Sequence, residues 1–378
     1  MALPPDDTDF DILVIGAGIA GAALAYFAAP HARVALLERE AMPGMHTTGR
    51  SAAMFMESYG PDSVRALTRA SRSFLEAPQA HGDGRPFITP RGALYIATEG
   101  RSFALHALHD ALRAEGAPAH LLDGAAARAC VPVLRPEATA LALLDGAACD
   151  IDVDRLHQHF LRGAAAHGCR LFTHADVQAI ERDGLAWRVA TPKRHWRAPL
   201  LANAAGAWAD GVGALAGATP LGLEPRRRSA FTFAPPAGVD CRAWPCVADV
   251  DETFYFKPDA GVLLGSPANA DPVPPHDVVP EEVDIATGIF HIEAATTMTI
   301  RRPLRSWAGL RSFVPDGALV GGFDSHLPGF FWCCGQGGYG IQTSPAMGQA
   351  CAARLLGLPL PEHLAAHEVS FEGLAPRA

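Results

Sequence analysis

Lysine is nearly missing from this chain: only Lys193 and Lys257 occur, and arginine supplies the rest of the 31 basic residues. The formal net charge is −9 and no long basic run occurs, which argues against a nucleic-acid surface. Missing too is any uncharged apolar run of about 18 residues, the length that crosses a bilayer as a helix. The opening Met1-Ala2-Leu3-Pro4-Pro5-Asp6-Asp7 has neither the basic nor the apolar region of a secretory signal. These absences lead us to expect a soluble cytoplasmic protein, with peripheral attachment at the inner face of a membrane left open. The eight cysteines show no CxxC spacing, so they read as reduced thiols and not as a zinc or disulfide framework. Cys333 and Cys334 continue the apolar run Phe330-Phe331-Trp332 and read as small buried hydrophobes.

What is present is a glycine turn in an informative setting. Gly16-Ala17-Gly18-Ile19-Ala20-Gly21 follows the apolar run Phe10-Asp11-Ile12-Leu13-Val14-Ile15 and opens into the helix-forming Ala22-Ala23-Leu24-Ala25-Tyr26-Phe27. Gly16 permits a tight turn, Gly18 lets backbone approach a pyrophosphate, and Gly21 lets helix and strand pack closely. The helix N-terminus then presents its positive dipole to the phosphates. A second strand, Val34-Ala35-Leu36-Leu37, ends in Glu38, about twenty residues on, where a carboxylate accepts from ribose hydroxyls and repels a 2′-phosphate. The site therefore predicts a dinucleotide other than NADP.

A chain of 378 residues exceeds one compact core and suits two linked domains. The small-residue and hydroxyl-rich stretch 43–53 reads as a loop wrapping a cofactor. Helices are expected over 62–75, 102–115 and 155–167, the last capped by Asp154. The alternating Asp150, Asp152 and Asp154 lack the glycine and distal glutamate of a calcium loop, and we expect no metal. Residues 200–208 read as a strand entering a small-residue helix. Between about 219 and 315 come β-rich segments divided by Pro/Gly turns, an insertion into the first domain. The chain then closes with a strand, the glycine-rich turn Gly335-Gln336-Gly337-Gly338-Tyr339-Gly340, and a helix over 343–356. The expected fold is α/β: a Rossmann-like cofactor domain in three parts (1–80, 141–218 and 316–378) with an inserted β-rich substrate domain in two (81–140 and 219–315).

Two glycine turns at opposite ends of the chain suit one cofactor held at its pyrophosphate and at its reactive ring, and FAD fits that span better than NAD. The chain resembles the D-amino-acid oxidase superfamily of flavin-dependent oxidoreductases, and within it most of all the bacterial D-arginine dehydrogenases. The likeness runs nearly end to end. It is carried by Val14 to Gly21, Leu37-Glu38-Arg39-Glu40, Thr48-Gly49-Arg50-Ser51-Ala52-Ala53, Asn203-Ala204-Ala205-Gly206-Ala207-Trp208, Arg227-Arg228-Ser229-Ala230-Phe231, Trp307 to Phe313 and Gln336 to Thr343.

The resemblance implies that FAD is held without a covalent bond. Its expected contacts are Gly16, Gly18, Ile19, Ala20, Gly21, Glu38, Arg39, Thr48, Gly49, Arg50, Ser51, Ala52, Ala205, Gly206 and Trp208, followed by Gly337, Gly338, Tyr339, Gly340, Ile341 and Gln342. It further implies that Arg228 and Arg311 grip a substrate carboxylate, a task suited to the paired donors of guanidinium. Tyr59 and Tyr255 would line the pocket, the Gly338 carbonyl would receive the amine, and Gln342 would lie near flavin and substrate.

The sequence also departs from that pattern. Ala93 stands where the D-arginine dehydrogenases place a glutamate, and Met54 and Met56 replace a pocket histidine and threonine, so neutral apolar side chains are expected in preference to D-arginine. Glu57, beside them, could compensate but alternates to the other side of an extended segment. Neither lysine matches the one that sarcosine-oxidase relatives hold over the flavin, so the expected electron acceptor is a quinone or similar partner and not oxygen. The reading is a D-amino-acid dehydrogenase. An oxidase of the same fold acting on glycine- or sarcosine-like amines, and a flavoprotein without turnover, stay open at this point.

Overall fold

The computed structural model describes residues 8–77, 84–114, 116 and 118–377. The runs Ile12–Ile15 and Val34–Leu37 are apolar at every position, and both are buried on both faces, as strands inside a covered parallel sheet must be. They form the centre of a six-stranded sheet ordered Val320–Phe323, Phe330–Cys334, Leu200–Asn203, Ile12–Ile15, Val34–Leu37 and Arg170–Phe172. Only the edge strand Val320–Phe323 runs antiparallel. Ile12–Ile15 pairs with Leu200–Asn203 on one side and Val34–Leu37 on the other, so strand order reverses at its C-terminal end. A ligand crevice forms at such a reversal.

The helix Ile19–Ala28 packs on Ser344–Leu355 and Val153–Ala166 through small residues. A Cβ at Gly348 would lie 2.7 Å from the Ala23 Cβ, and one at Gly163 would lie 2.3 Å from the Tyr26 ring. The helix expected over 155–167 starts earlier, at Val153, and its cap is Asp152, not Asp154. The Asp152 carboxylate accepts from the Arg155 backbone N–H at 3.1 Å, while Asp154 sits in the first turn.

The inserted domain is built on a nine-stranded sheet whose side chains alternate between two destinations. One face buries Leu94, Ile96, Phe231, Phe233, Val247 and Phe256 against the helices Gly124–Cys130 and Glu282–Ala295. The other face, carrying Arg228, Ala230 and Tyr255, looks onto the cofactor domain. Period-two alternation also resolves the run Arg226-Arg227-Arg228. Arg227 is buried on the helix side with its Nε 2.8 Å from Asp284 Oδ2, Arg226 pairs with Glu224 at 2.6 Å, and Arg228 faces the crevice.

Leu141–Asp145 pairs with Ala93–Ala97 and Ala119–Asp123 inside this sheet. The domain boundary expected before residue 141 therefore falls after Asp145. The boundary expected at residue 80 lies outside the described residues. A small sheet of Met54–Phe55, Cys149–Ile151 and Ile88–Pro90 joins the two domains. Asp150 on its central strand is bound by Lys257 Nζ at 2.6 Å and Arg91 Nε at 2.7 Å, which is the use the structure makes of that acid.

Candidate active site

The first glycine turn has the geometry its sequence predicts. Gly16 adopts φ 101°, and a Cβ there would stand 2.4 Å from the Ala204 carbonyl oxygen. A Cβ on Gly21 would stand 1.9 Å from the Gly16 carbonyl oxygen, so Gly21 serves helix–strand packing and does not line the crevice. Glu38 is buried at the end of its strand; Oε2 accepts from Ala17 N at 3.0 Å and Oε1 from Glu40 N at 2.9 Å. Each oxygen keeps a further lone pair for a ligand hydroxyl. Thr48 Oγ1 accepts from Ile19 N at 3.0 Å, which fixes the loop against the helix start.

From this turn a cavity of about 360 Å³ runs between the domains. At one end stand Glu38, Arg39, His46 and Trp208, with the Arg39 guanidinium 4.3 Å from the Trp208 ring centroid. Along its length lie Gly18, Ile19, Ala20, Thr48, Ser51, Ala52, Ala205 and Gly206. At the other end stand Arg228, Tyr255, Arg311, Gly337, Gly338, Gly340 and Ile341. Residues 305–313 pair antiparallel with residues 224–233, setting Arg228 opposite Gly309 and bringing Arg311 to the same face. Gly338 lies against Arg311, where a Cβ would come within 3.0 Å of Nη1.

Electrostatics mark this end of the cavity as an anion site. Arg228 is largely buried, its Nε has no hydrogen-bond partner among the described residues, and burial together with the charge of Arg311 pushes its guanidinium down to about 10. Two cations facing one cavity without a carboxylate between them cost stability unless a ligand supplies the negative charge. The set of groups fits a flavin dinucleotide along the crevice and a carboxylate at its end.

Other expected site residues lie elsewhere. Arg50 borders the cavity, but its guanidinium is committed to Asp277 at 2.5 Å and to the Val278 and Ala308 carbonyls, tying the two domains together. Gly49 packs on the Gly44 carbonyl and Tyr339 on Tyr59, outside this cavity. Gln342 is buried, with Oε1 accepting from Met56 N at 3.1 Å and Nε2 donating to Thr68 Oγ1 at 2.9 Å. It holds the backbone at Met56, just past the strand Met54–Phe55, and does not border the cavity. Tyr59 lines a second cavity, of about 480 Å³. Met54, Met56 and Ala93 border neither cavity and pack together in an apolar cluster with Tyr95 and Leu143. Glu57 is bound by Arg72 Nε at 2.7 Å and is not free to compensate for Ala93.

Several contributors escaped the sequence reading, His157 and Cys334 among them. His157 is buried and its Nε2 donates to the Ala17 carbonyl at 2.8 Å, holding the turn from below. Ser312 and Cys334 line the cavity near its ring end. Burial pushes the Cys334 thiol well up, so it stays protonated.

The family model described as FAD dependent oxidoreductase (DAO) matches residues 11–354. The chain belongs to this family. FAD is accordingly its cofactor, and the groups lining the crevice just described fit it. Among curated relatives, the tRNA 5-methylaminomethyl-2-thiouridine biosynthesis bifunctional protein MnmC of Verminephrobacter eiseniae (strain EF01-2) is 26% identical over 412 residues, covering 94% of this chain and 62% of that protein. The chain thus spans less than two thirds of the length of that relative. Among solved structures, glycine oxidase from Geobacillus kaustophilus has a TM-score of 0.80 at 22% identity, covering 93% of this chain and 96% of the other. L-proline dehydrogenase from P. horikoshii has a TM-score of 0.79 at 20% identity, covering 93% of each. Both share the fold. Among the described residues no helix is long and apolar enough to cross a membrane.

Proposed function

We propose that this DAO-family enzyme oxidises D-amino acids to 2-oxo acids and ammonia, passing the electrons to an acceptor other than oxygen. The observation that supports this most is the pair Arg228 and Arg311, two unneutralised guanidinium groups at the ring end of a flavin crevice. Their forks bind the two oxygens of an amino-acid carboxylate. The Gly338 carbonyl accepts from the substrate amine, and Tyr255 closes the other side. Bound FAD supplies the chemistry by accepting the Cα hydride with its electron pair. The residues fix the Cα position, and the amine reacts in its neutral form, its nitrogen lone pair forming the C=N bond as the hydride departs. Water then adds to the imino acid and ammonia leaves, giving the 2-oxo acid.

The D configuration rests on the sequence likeness to D-amino-acid oxidoreductases. The solved relatives named above are a glycine oxidase and an L-proline dehydrogenase. The preference for neutral side chains over D-arginine rests on the sequence departure at Ala93, which itself borders neither cavity, and on Glu57 being held by Arg72. Slow use of oxygen follows from the placement of the lysines: Lys193 is exposed, Lys257 is buried in its pair with Asp150, and neither borders the crevice. FAD is held without a covalent bond. A panel of D- and L-amino acids assayed with a quinone or dye and with oxygen tests the reading. Turnover with D-amino acids and dye is expected; equal turnover with oxygen, or preference for L-enantiomers, overturns it.

A further inference from the structure

The second cavity has no part in the chemistry so far. It is lined by three tyrosines, Tyr59, Tyr95 and Tyr339, by the aliphatic Leu108 and Val250, and by one acid, Glu252. It adjoins the arginine pair. Tyr339 follows Gly338, which touches Arg311, and the rings of Tyr339 and Tyr59 meet edge-on in the chamber wall with centroids 5.2 Å apart. Arg228 lies within electrostatic reach of Tyr59 and Glu252. Glu252 is exposed at the rim with φ 54°, in a turn held by the Asp249 carboxylate through Thr253 N at 2.6 Å and Phe254 N at 3.2 Å.

We propose that this chamber receives the side chain of the substrate and that it selects a bulky aromatic one, an indole or phenol, over a short aliphatic one. The inference rests on the carboxylate-binding role given above to Arg228 and Arg311. Tyrosine rings offer edge-to-face contacts to another ring, and the aliphatic wall covers its faces. Glu252 accepts a hydrogen bond from a ring N–H or O–H at the mouth. A cavity of about 480 Å³ exceeds what a methyl or thioether chain fills, so small side chains leave water in it.

Ala104 and Val250 line the chamber and do not border the cavity that holds the arginines, so Ala104→Trp and Val250→Phe fill the chamber without occupying the carboxylate site. Two readouts are needed on the flavin-loaded protein. The first is equilibrium binding of indole-3-propionate and of propionate, followed by flavin absorbance; the second is kcat/KM for D-tryptophan and D-alanine. In the parent, indole-3-propionate binds about tenfold or more tighter than propionate, and the filling variants abolish that advantage while propionate binding and flavin content hold. D-tryptophan turnover falls in parallel and D-alanine turnover stays within a few-fold. Equal binding of the two carboxylates by the parent, or equal loss of both in the variants, overturns the chamber assignment. Absent turnover of every D-amino acid with intact aromatic-carboxylate binding instead overturns the proposed reaction and leaves the chamber standing.

Discussion

Arg228 and Arg311 reach one cavity from neighbouring antiparallel strands, and neither forms an ion pair with a carboxylate among the described residues. A fold that keeps two such charges together trades stability for an anion site. Arg228→Met should therefore raise the thermal midpoint by a few degrees, since replacing a poorly compensated buried charge with an apolar side chain gains on the order of 1–3 kcal/mol. The same variant should lose most of its affinity for carboxylates and most of kcat/KM. Calorimetry beside steady-state kinetics checks both, and a variant that is less stable yet fully active contradicts the assignment.

The carboxylate site should also titrate. Burial and the charge of Arg311 hold the Arg228 guanidinium down to about 10, and only its protonated form binds an anion. The dissociation constant of a simple carboxylate, which itself does not titrate in this range, should stay flat near neutrality and rise about tenfold per pH unit above about 10. Arg228→Met should erase the break. A break that persists in the variant assigns the titration to another group.

His157 sets the stability of the cofactor turn. Its ring is buried against the Ala17 carbonyl, and burial holds its imidazole below the usual range. The folded value lies under the unfolded one, so its contribution is complete above about 6.5 and is lost as pH falls below it. His157→Ala should weaken FAD binding by about 10- to 100-fold and flatten the acid limb of the stability profile, measured by FAD titration and by denaturation at several pH values. Unchanged FAD affinity would reduce His157 to a filler of space.

Ala93 pairs directly with Asp145, whose buried carboxylate accepts from Ser58 Oγ at 2.6 Å. Glutamate at position 93 would face a like charge across the strands, which is destabilising. Ala93→Glu should therefore lower the thermal midpoint, and adding Asp145→Asn, which removes the opposing charge, should restore part of it. A parent that already uses D-arginine as well as D-methionine contradicts the stated preference.

The cofactor half was legible because its constraints are local. A strand buried on both faces, a turn that only glycine accommodates and a carboxylate at the next strand end are all written in consecutive residues, and Gly16, Gly18 and Glu38 stand where those rules put them. Side-chain destinations were less legible. Arg50 and Gln342 sit in the expected motifs, yet their donors are consumed by Asp277 and by Thr68, partners more than two hundred residues away in sequence. His157 lies in an amphipathic helix with no motif of its own, and only the packing of that helix under the turn gives it a role. Leu141–Asp145 reads as a strand from its own residues, but which sheet it joins depends on residues 93–97 and 119–123.

The most direct test of the central claim is anaerobic rapid mixing of the purified flavoprotein with D-methionine and, separately, with L-methionine, followed by the flavin absorbance. The account predicts prompt bleaching by the D enantiomer alone, and in Arg311→Met the same flavin content with bleaching slowed by on the order of a hundredfold or more at low substrate. Equal bleaching by L-methionine, no bleaching by either, or an Arg311→Met variant as fast as the parent would contradict it.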